Sequence, residues 1–163
     1  MIFDTASLQF SGFFAALCLS CSAVALIDIR QGIIPNGLNL FIAGLGLANT
    51  TLNGGAMAGI EALGGAAAVG AIFWLLRRLY FVVRKIQGIG LGDVKLLAAA
   101  TTWIGVSGIP TLLLIATLTA LAAIGSRQLA GQGMTRQTSL PFGPFLAIGL
   151  LATFAVQQFL GLA

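Results

Sequence analysis

The sequence predicts an all-α integral membrane protein: one domain over residues 1–163, a bundle of about six transmembrane helices with its N-terminus outside. Three observations predict it. Hydrophobic residues make up 58% of the 163 and charged residues only 7%, with a mean hydropathy of +1.04, whereas a soluble domain carries about 25% charged residues. The apolar residues fall into runs near the length that crosses a bilayer, about 20 residues. All eight Lys and Arg residues sit in three of the stretches between or at the ends of those runs, the asymmetry that orients basic loops toward the cytoplasm.

The first span runs from about Leu8 to Ile27 and ends at Asp28-Ile-Arg30. It is expected to be retained, because Met-Ile-Phe-Asp lacks the basic n-region of a secretory signal. Gln31-Gly-Ile-Ile-Pro-Asn36 then turns the chain. Pro35 resists helix continuation, and Asn36 suits the cap of the next helix. The second span covers about Gly37 to Leu52, and Asn53-Gly-Gly55 signals a tight turn. The third, from about Met57 to Leu76, carries Gly59, Gly64, Gly65 and Gly70, small residues that let helices pack closely in lipid. Glu61 lies near its start, where a carboxylate favours the positive end of the helix dipole; it reads as structural or interfacial.

Arg77 to Lys85 closes the third span as a basic and aromatic stretch able to lie at the membrane interface. The fourth span, from Asp93 to about Ile104, is too short to cross unaided. Its start therefore belongs at or just below the interface. Gly105 to Pro110 reads as a turn, and a fifth span extends from Thr111 to about Ser126. Arg127 to Ser139 is the most polar loop, and the sixth span begins near Pro141-Phe-Gly-Pro144 and runs to about Leu160. Proline is tolerated there because the first helical N–H groups have no partner to lose.

Composition also removes several chemistries. The chain has no histidine, and Cys18 and Cys21 lie inside an apolar run, where cysteine serves as a small packing residue. A zinc or redox site would need further ligands, so no metal and no cofactor is expected. The net charge of +4 comes from basic residues scattered singly or in pairs. That pattern fits membrane orientation and not a nucleic-acid footprint.

The carboxylates are four: Asp4, Asp28, Glu61 and Asp93. Ionisable groups at membrane depth are costly and tend to be functional. The topology above puts Asp28 and Asp93 on the inner side and Asp4 and Glu61 outside. Asp93 ends Gly88-Ile-Gly-Leu-Gly-Asp-Val-Lys95, whose alternating glycines suit a bend or a close approach to another segment. As a plain loop, it would offer Asp93 merely as a helix cap. Two carboxylates that converge share one proton, since both cannot ionise cheaply. One then acts as base on a water while its protonated partner donates to a carbonyl. A metalloprotease would want H-E-x-x-H and a serine hydrolase a base; the sequence has no histidine for either.

Three stretches carry a resemblance: Asp28-Ile-Arg-Gln-Gly-Ile-Ile-Pro-Asn36, Gly90-Leu-Gly-Asp-Val-Lys-Leu-Leu-Ala98 and Pro141-Phe-Gly-Pro-Phe-Leu-Ala147. In that order they resemble the type IV prepilin peptidases, membrane aspartic proteases that remove the basic leader of prepilins. The resemblance implies an inner-membrane enzyme with its catalytic loops at the cytoplasmic face and prepilins or pseudopilins as substrates. Its catalytic aspartates fall on Asp28 and Asp93, and its GxG glycines on Gly90 and Gly92. Lys95 shares that second motif; Pro35 and Asn36 close the first.

Bifunctional members also methylate the product and carry paired C-x-x-C motifs in an N-terminal region. Cys18 and Cys21 do not match that pattern, so the chain resembles the peptidase-only form of tight-adherence pilus systems. Presenilin-like proteases share GxGD, but there the first aspartate follows a tyrosine on the immediately preceding helix; here Ile27 precedes Asp28. A proton-coupled transporter using both acids as a relay is the reading from a different class. Arg30 and Lys95, each two residues from an aspartate, either anchor the inner interface or contact an acidic group of the substrate or the site.

Overall fold

Glycine decides where the helices stop. The computed structural model describes residues 5–85, 89–129 and 141–160, and its regular structure is helical throughout: α1 (Thr5–Gln31), α2 (Asn36–Arg84), α3 (Leu91–Leu129) and α4 (Gly143–Leu160). Helix α1 ends because Gly32 adopts a left-handed backbone (φ 65°) and its N–H bonds the Asp28 carbonyl at 2.8 Å, a glycine C-cap. Pro35, extended at φ −61° and ψ 135°, then launches α2 from the N-cap position with no side-chain cap. Asn36, the expected cap, is already the first helical residue.

Helices α2 and α3 are each broken once, at Gly55 (φ 79°, ψ −179°) and Gly105 (φ 66°, ψ 175°). Only glycine adopts such angles without strain. The first break sits on the predicted Asn53-Gly-Gly55 turn. The second replaces the broader turn expected over Gly105 to Pro110: helix resumes directly, with Pro110 inside it. The breaks reverse the chain. Gly59 lies so close to Thr51 that no side chain would fit between them, although an unbroken helix would hold them about 12 Å apart.

Along α2 and α3 the two halves before the breaks are bonded to each other. Trp103 donates Nε1–H to the Ile42 carbonyl at 2.8 Å, Thr102 its hydroxyl to the Ala43 carbonyl at 3.3 Å, and Thr50 its hydroxyl to the Thr102 carbonyl at 2.9 Å. Gly46 lets Thr102 and Trp103 press onto the α2 backbone. At the second break Gln157 of α4 donates to the Ile104 carbonyl at 3.0 Å. In lipid a freed backbone group has no water to turn to, so such side chains must satisfy it. Helix α4 closes the bundle between α1 and α3, with Phe154 edge-on to Trp103 at 5.4 Å and stacked on Phe10 and Phe14.

Three helices are long and apolar enough to cross a membrane, and α4 is a shorter apolar helix. Large apolar side chains face outward along all of them, among them Leu19, Leu40, Met57 and Val83, each more than 70% exposed. Such a surface would aggregate in water. It is the surface of a membrane protein.

Candidate active site

Helical periodicity brings Asp28 into the interior. Leu17, Cys21 and Val24 form the buried stripe of α1, and Asp28 occupies the next position of that stripe, at the spacing of four, three and four that keeps one face inward. It is 5% exposed, while Ile29 and Arg30 beside it face out. A buried carboxylate requires partners. One is the backbone of α4: the Gly143 N–H donates to Asp28 Oδ2 at 2.8 Å. Gly143 is the first residue of α4, so the carboxylate caps the positive end of that helix dipole from outside. A Cβ on Gly143 would lie 2.6 Å from Oδ2 and 2.9 Å from Cγ. The close approach admits glycine only.

Asp93 arrives from the other direction. It lies in the first turn of α3, half-buried, where an acid suits the helix dipole, and its carboxylate rests against Gly90. It lies at the same end of the bundle as Asp28, since Gly92 beside it packs against Ile34 of the link that follows α1. Three bonds fix the segment that bears it. Lys95 donates Nζ–H to Asn36 Oδ1 at 2.7 Å, Asn39 donates Nδ2–H to the Gly92 carbonyl at 3.5 Å, and Arg77 donates Nε–H to the Ile89 carbonyl at 2.9 Å. The two acids thus lie at the same end of the bundle, with the start of α4 beside Asp28.

The sequence profile of the type IV leader peptidase family matches residues 15–125. The chain belongs to the type IV leader peptidase family. It is 39% identical over 137 residues to a prepilin leader peptidase/N-methyltransferase of Xanthomonas campestris, an alignment covering 83% of this chain and 47% of that protein. The protein of the same name from Burkholderia pseudomallei is 38% identical over 138 residues, 84% of this chain and 44% of the relative. That from Legionella pneumophila is 36% identical over 133 residues, 81% and 46%. The chain spans about half the length of these curated relatives. No solved structure matches it at a significant level.

For this leader peptidase family member, the residues singled out in the sequence divide into groups. Asp28, Asp93, Gly90, Gly92, Lys95 and Asn36 come together at the site, and Pro35 shapes the link that supports it. Arg30 is exposed and makes no ion pair among the described residues. Gly88 and Arg136 lie outside the described residues. Of the two jobs expected of the glycines, a bend or a close approach, the second is the one seen: neither Gly90 nor Gly92 has a positive φ. Gly92 lets α3 press against the link before α2, since a Cβ there would lie 3.0 Å from the Ile34 Cβ. Gly92→Val is therefore expected to lose most activity through displacement of Asp93, whereas Gly92→Ala loses only part. Steady-state cleavage of a prepilin by both variants checks this; full activity in Gly92→Val would show that the contact with Ile34 is dispensable.

Three residues escaped the sequence reading. Gly143 stood inside a quoted motif, but nothing in the chain order says that its N–H reaches Asp28. Asn39 follows Asn36 on the same helix turn, a polar residue recurring on a face that is otherwise membrane-like. Arg77 gave no signal beyond its charge.

Proposed function

We propose that this chain is a membrane aspartic endopeptidase that cleaves the leader of type IV prepilin-like proteins at the cytoplasmic face of the bacterial inner membrane. Asp28 and Asp93 are its catalytic pair. The observation that carries the proposal is their placement at the same end of the bundle, on the last turn of α1 and the first turn of α3. Helices α2 and α3, broken at Gly55 and Gly105, cross twice each, giving six crossings with the N-terminus outside. At 49 and 39 residues, either helix unbroken would exceed the roughly 30 Å hydrocarbon core by far. That topology gathers Arg30, Arg77, Arg78, Arg84, Lys85, Lys95 and Arg127 on the side of the acids.

The chemistry follows from the pair. The Gly143 N–H occupies one oxygen of Asp28, which fixes the carboxylate and leaves its other oxygen to meet a water or its partner. With one proton between the two acids, the ionised carboxylate removes a proton from water as it attacks the scissile carbonyl. The protonated partner gives its proton to the carbonyl oxygen. The tetrahedral intermediate then collapses with proton return to the leaving amine. No metal or cofactor is needed for these steps. The proposal covers leader cleavage and not the methyl transfer in the relatives' names, since two carboxylates account for hydrolysis alone.

Purified protein incubated with candidate prepilins is expected to release a shortened product whose mass gives the cleaved bond. Proton flux through liposomes without any proteolysis would instead establish the relay reading. The Lys95 to Asn36 bond supplies a second check. Lys95→Met is expected to lower kcat about fivefold with KM nearly unchanged, because an exposed charge-assisted bond contributes roughly 1 kcal/mol to holding Asp93 in place. Arg30→Gln should leave both constants near wild type. A raised KM for Lys95→Met with unchanged kcat would move Lys95 from positioning to substrate binding.

A further inference from the structure

The end of α2 and its cap hold four of the chain's eight basic residues, Arg77, Arg78, Arg84 and Lys85. No acid occurs between Glu61 and Asp93, and none of the four forms an ion pair among the described residues. Arg77 and Arg78 open onto a recess of about 240 Å³ whose other walls are Trp74 and Phe81. The four lining residues follow one another at spacings of three and four along the helix, which puts them on one face. Both guanidinium groups are held there. Arg77 is half-buried, and its Nε–H is engaged by the Ile89 carbonyl at 2.9 Å, so its outer N–H groups are left for the recess. Arg78 lies 5.7 Å from the centre of the Trp74 ring, within the range of a cation–π contact.

The depth of the recess follows from the helix. Arg77 stands roughly 33 Å along α2 from the break at Gly55, just over the about 30 Å of a hydrocarbon core. With the break at one edge of the bilayer, the recess reaches the headgroup level of the other, where tryptophan gathers. Leu75 and Val82 beside it are 52% and 59% exposed and offer apolar surface for acyl chains. Two adjacent guanidinium groups with no acid repel each other, and an anion between them removes the repulsion. Their planar forks match phosphate oxygens with paired hydrogen bonds.

We propose that this recess binds the phosphodiester of an anionic phospholipid, of the phosphatidylglycerol class. A zwitterionic lipid offers the same phosphate but brings an ammonium toward the two arginines, so it binds more weakly. Arg77 thereby joins a lipid on one side to the segment that bears Asp93 on the other.

The test is lipid retention by the whole chain, independent of any cleavage assay. Protein exchanged into micelles with equal amounts of phosphatidylglycerol and phosphatidylethanolamine of identical chains is analysed by native mass spectrometry. The glycerol lipid is expected to be retained at least about fivefold over the ethanolamine lipid, the scale of one basic residue acting on an anionic lipid. Arg78→Gln should bring that ratio near one, and Arg78→Lys should restore only part of it, because lysine keeps the charge and loses the fork. Removing two charges outside the recess, by Arg84→Gln with Lys85→Gln, should leave the ratio within about twofold of wild type. Millimolar inorganic phosphate should displace no lipid. Equal retention of the two lipids by the wild type overturns the proposal, and this comparison needs no variant to fold. An Arg84→Gln/Lys85→Gln loss as large as that of Arg78→Gln also overturns it, since a diffuse basic surface would then account for binding. So does displacement by phosphate, which would make the site one for a free anion.

Discussion

Asp28→Asn and Asp93→Asn are each expected to reduce leader cleavage by roughly a thousandfold or more, the scale of losing a general acid or base. Asn preserves the volume of Asp, and its Oδ1 can still accept the Gly143 N–H that Asp28 accepts at 2.8 Å. The fold is therefore expected to survive, and the loss reports chemistry. An amide cannot hold the shared proton or remove one from water, so one substitution disables both steps. The double variant should be no slower than either single one, because groups that act as a unit do not add. Cleavage rates at saturating prepilin, alongside thermal unfolding of each variant, provide the measurement. Near wild-type turnover in either single variant would remove that residue from the catalytic pair. Activity of the wild type should also fall on both sides of a pH optimum, since the pair works only while it carries one proton.

Local features of the chain were readable wherever the cause was local. The break at Gly55 lies on the Asn53-Gly-Gly55 turn because glycine is needed for its positive φ, and composition alone announces glycine. Asp28 is conspicuous because it is one of only four carboxylates and ends an apolar run. Long-range contacts were not readable in the same way. Asn36 has the chemistry of a helix cap, and local reasoning placed it there. Its oxygen accepts from Lys95 instead, and no spacing rule links two residues on different helices. Pro110 looked like the end of a turn, yet the break at Gly105 already supplies the reversal, and helix runs through the proline. The glycines around Asp93 suit a bend or a close approach, and the approach is what the fold uses. Their effect is steric: Gly92 makes room for Ile34, a partner visible only once α3 is packed.

Gly143→Ala is expected to lower kcat about a hundredfold while leaving the helix it begins intact. At the first position of α4 the helix propensity of alanine counts for little; Gly143 has no positive φ that would penalise it, although Pro144 after it disfavours a helical residue that bears a Cβ. The larger cost arises at the contact with Asp28. The added Cβ would stand 2.6 Å from Asp28 Oδ2 and 3.1 Å from its Cβ, closer than carbon and oxygen tolerate. Asp28 is buried on a packed stripe and is not a flexible surface chain, so it must swing away and give up the Gly143 N–H, or push α4 aside. Either way it leaves its position relative to Asp93. A displacement of about 1 Å costs catalysis on the order of a hundredfold. KM should change little if the substrate is held mainly by other surfaces. A structural origin is separable by a double-mutant cycle: in an Asp28→Ala background the clash is absent, so Gly143→Ala should there lower the unfolding temperature less than it does beside Asp28. Wild-type kcat in Gly143→Ala, or the same stability change in both backgrounds, would show that the α4 amide does not hold Asp28 in its working place.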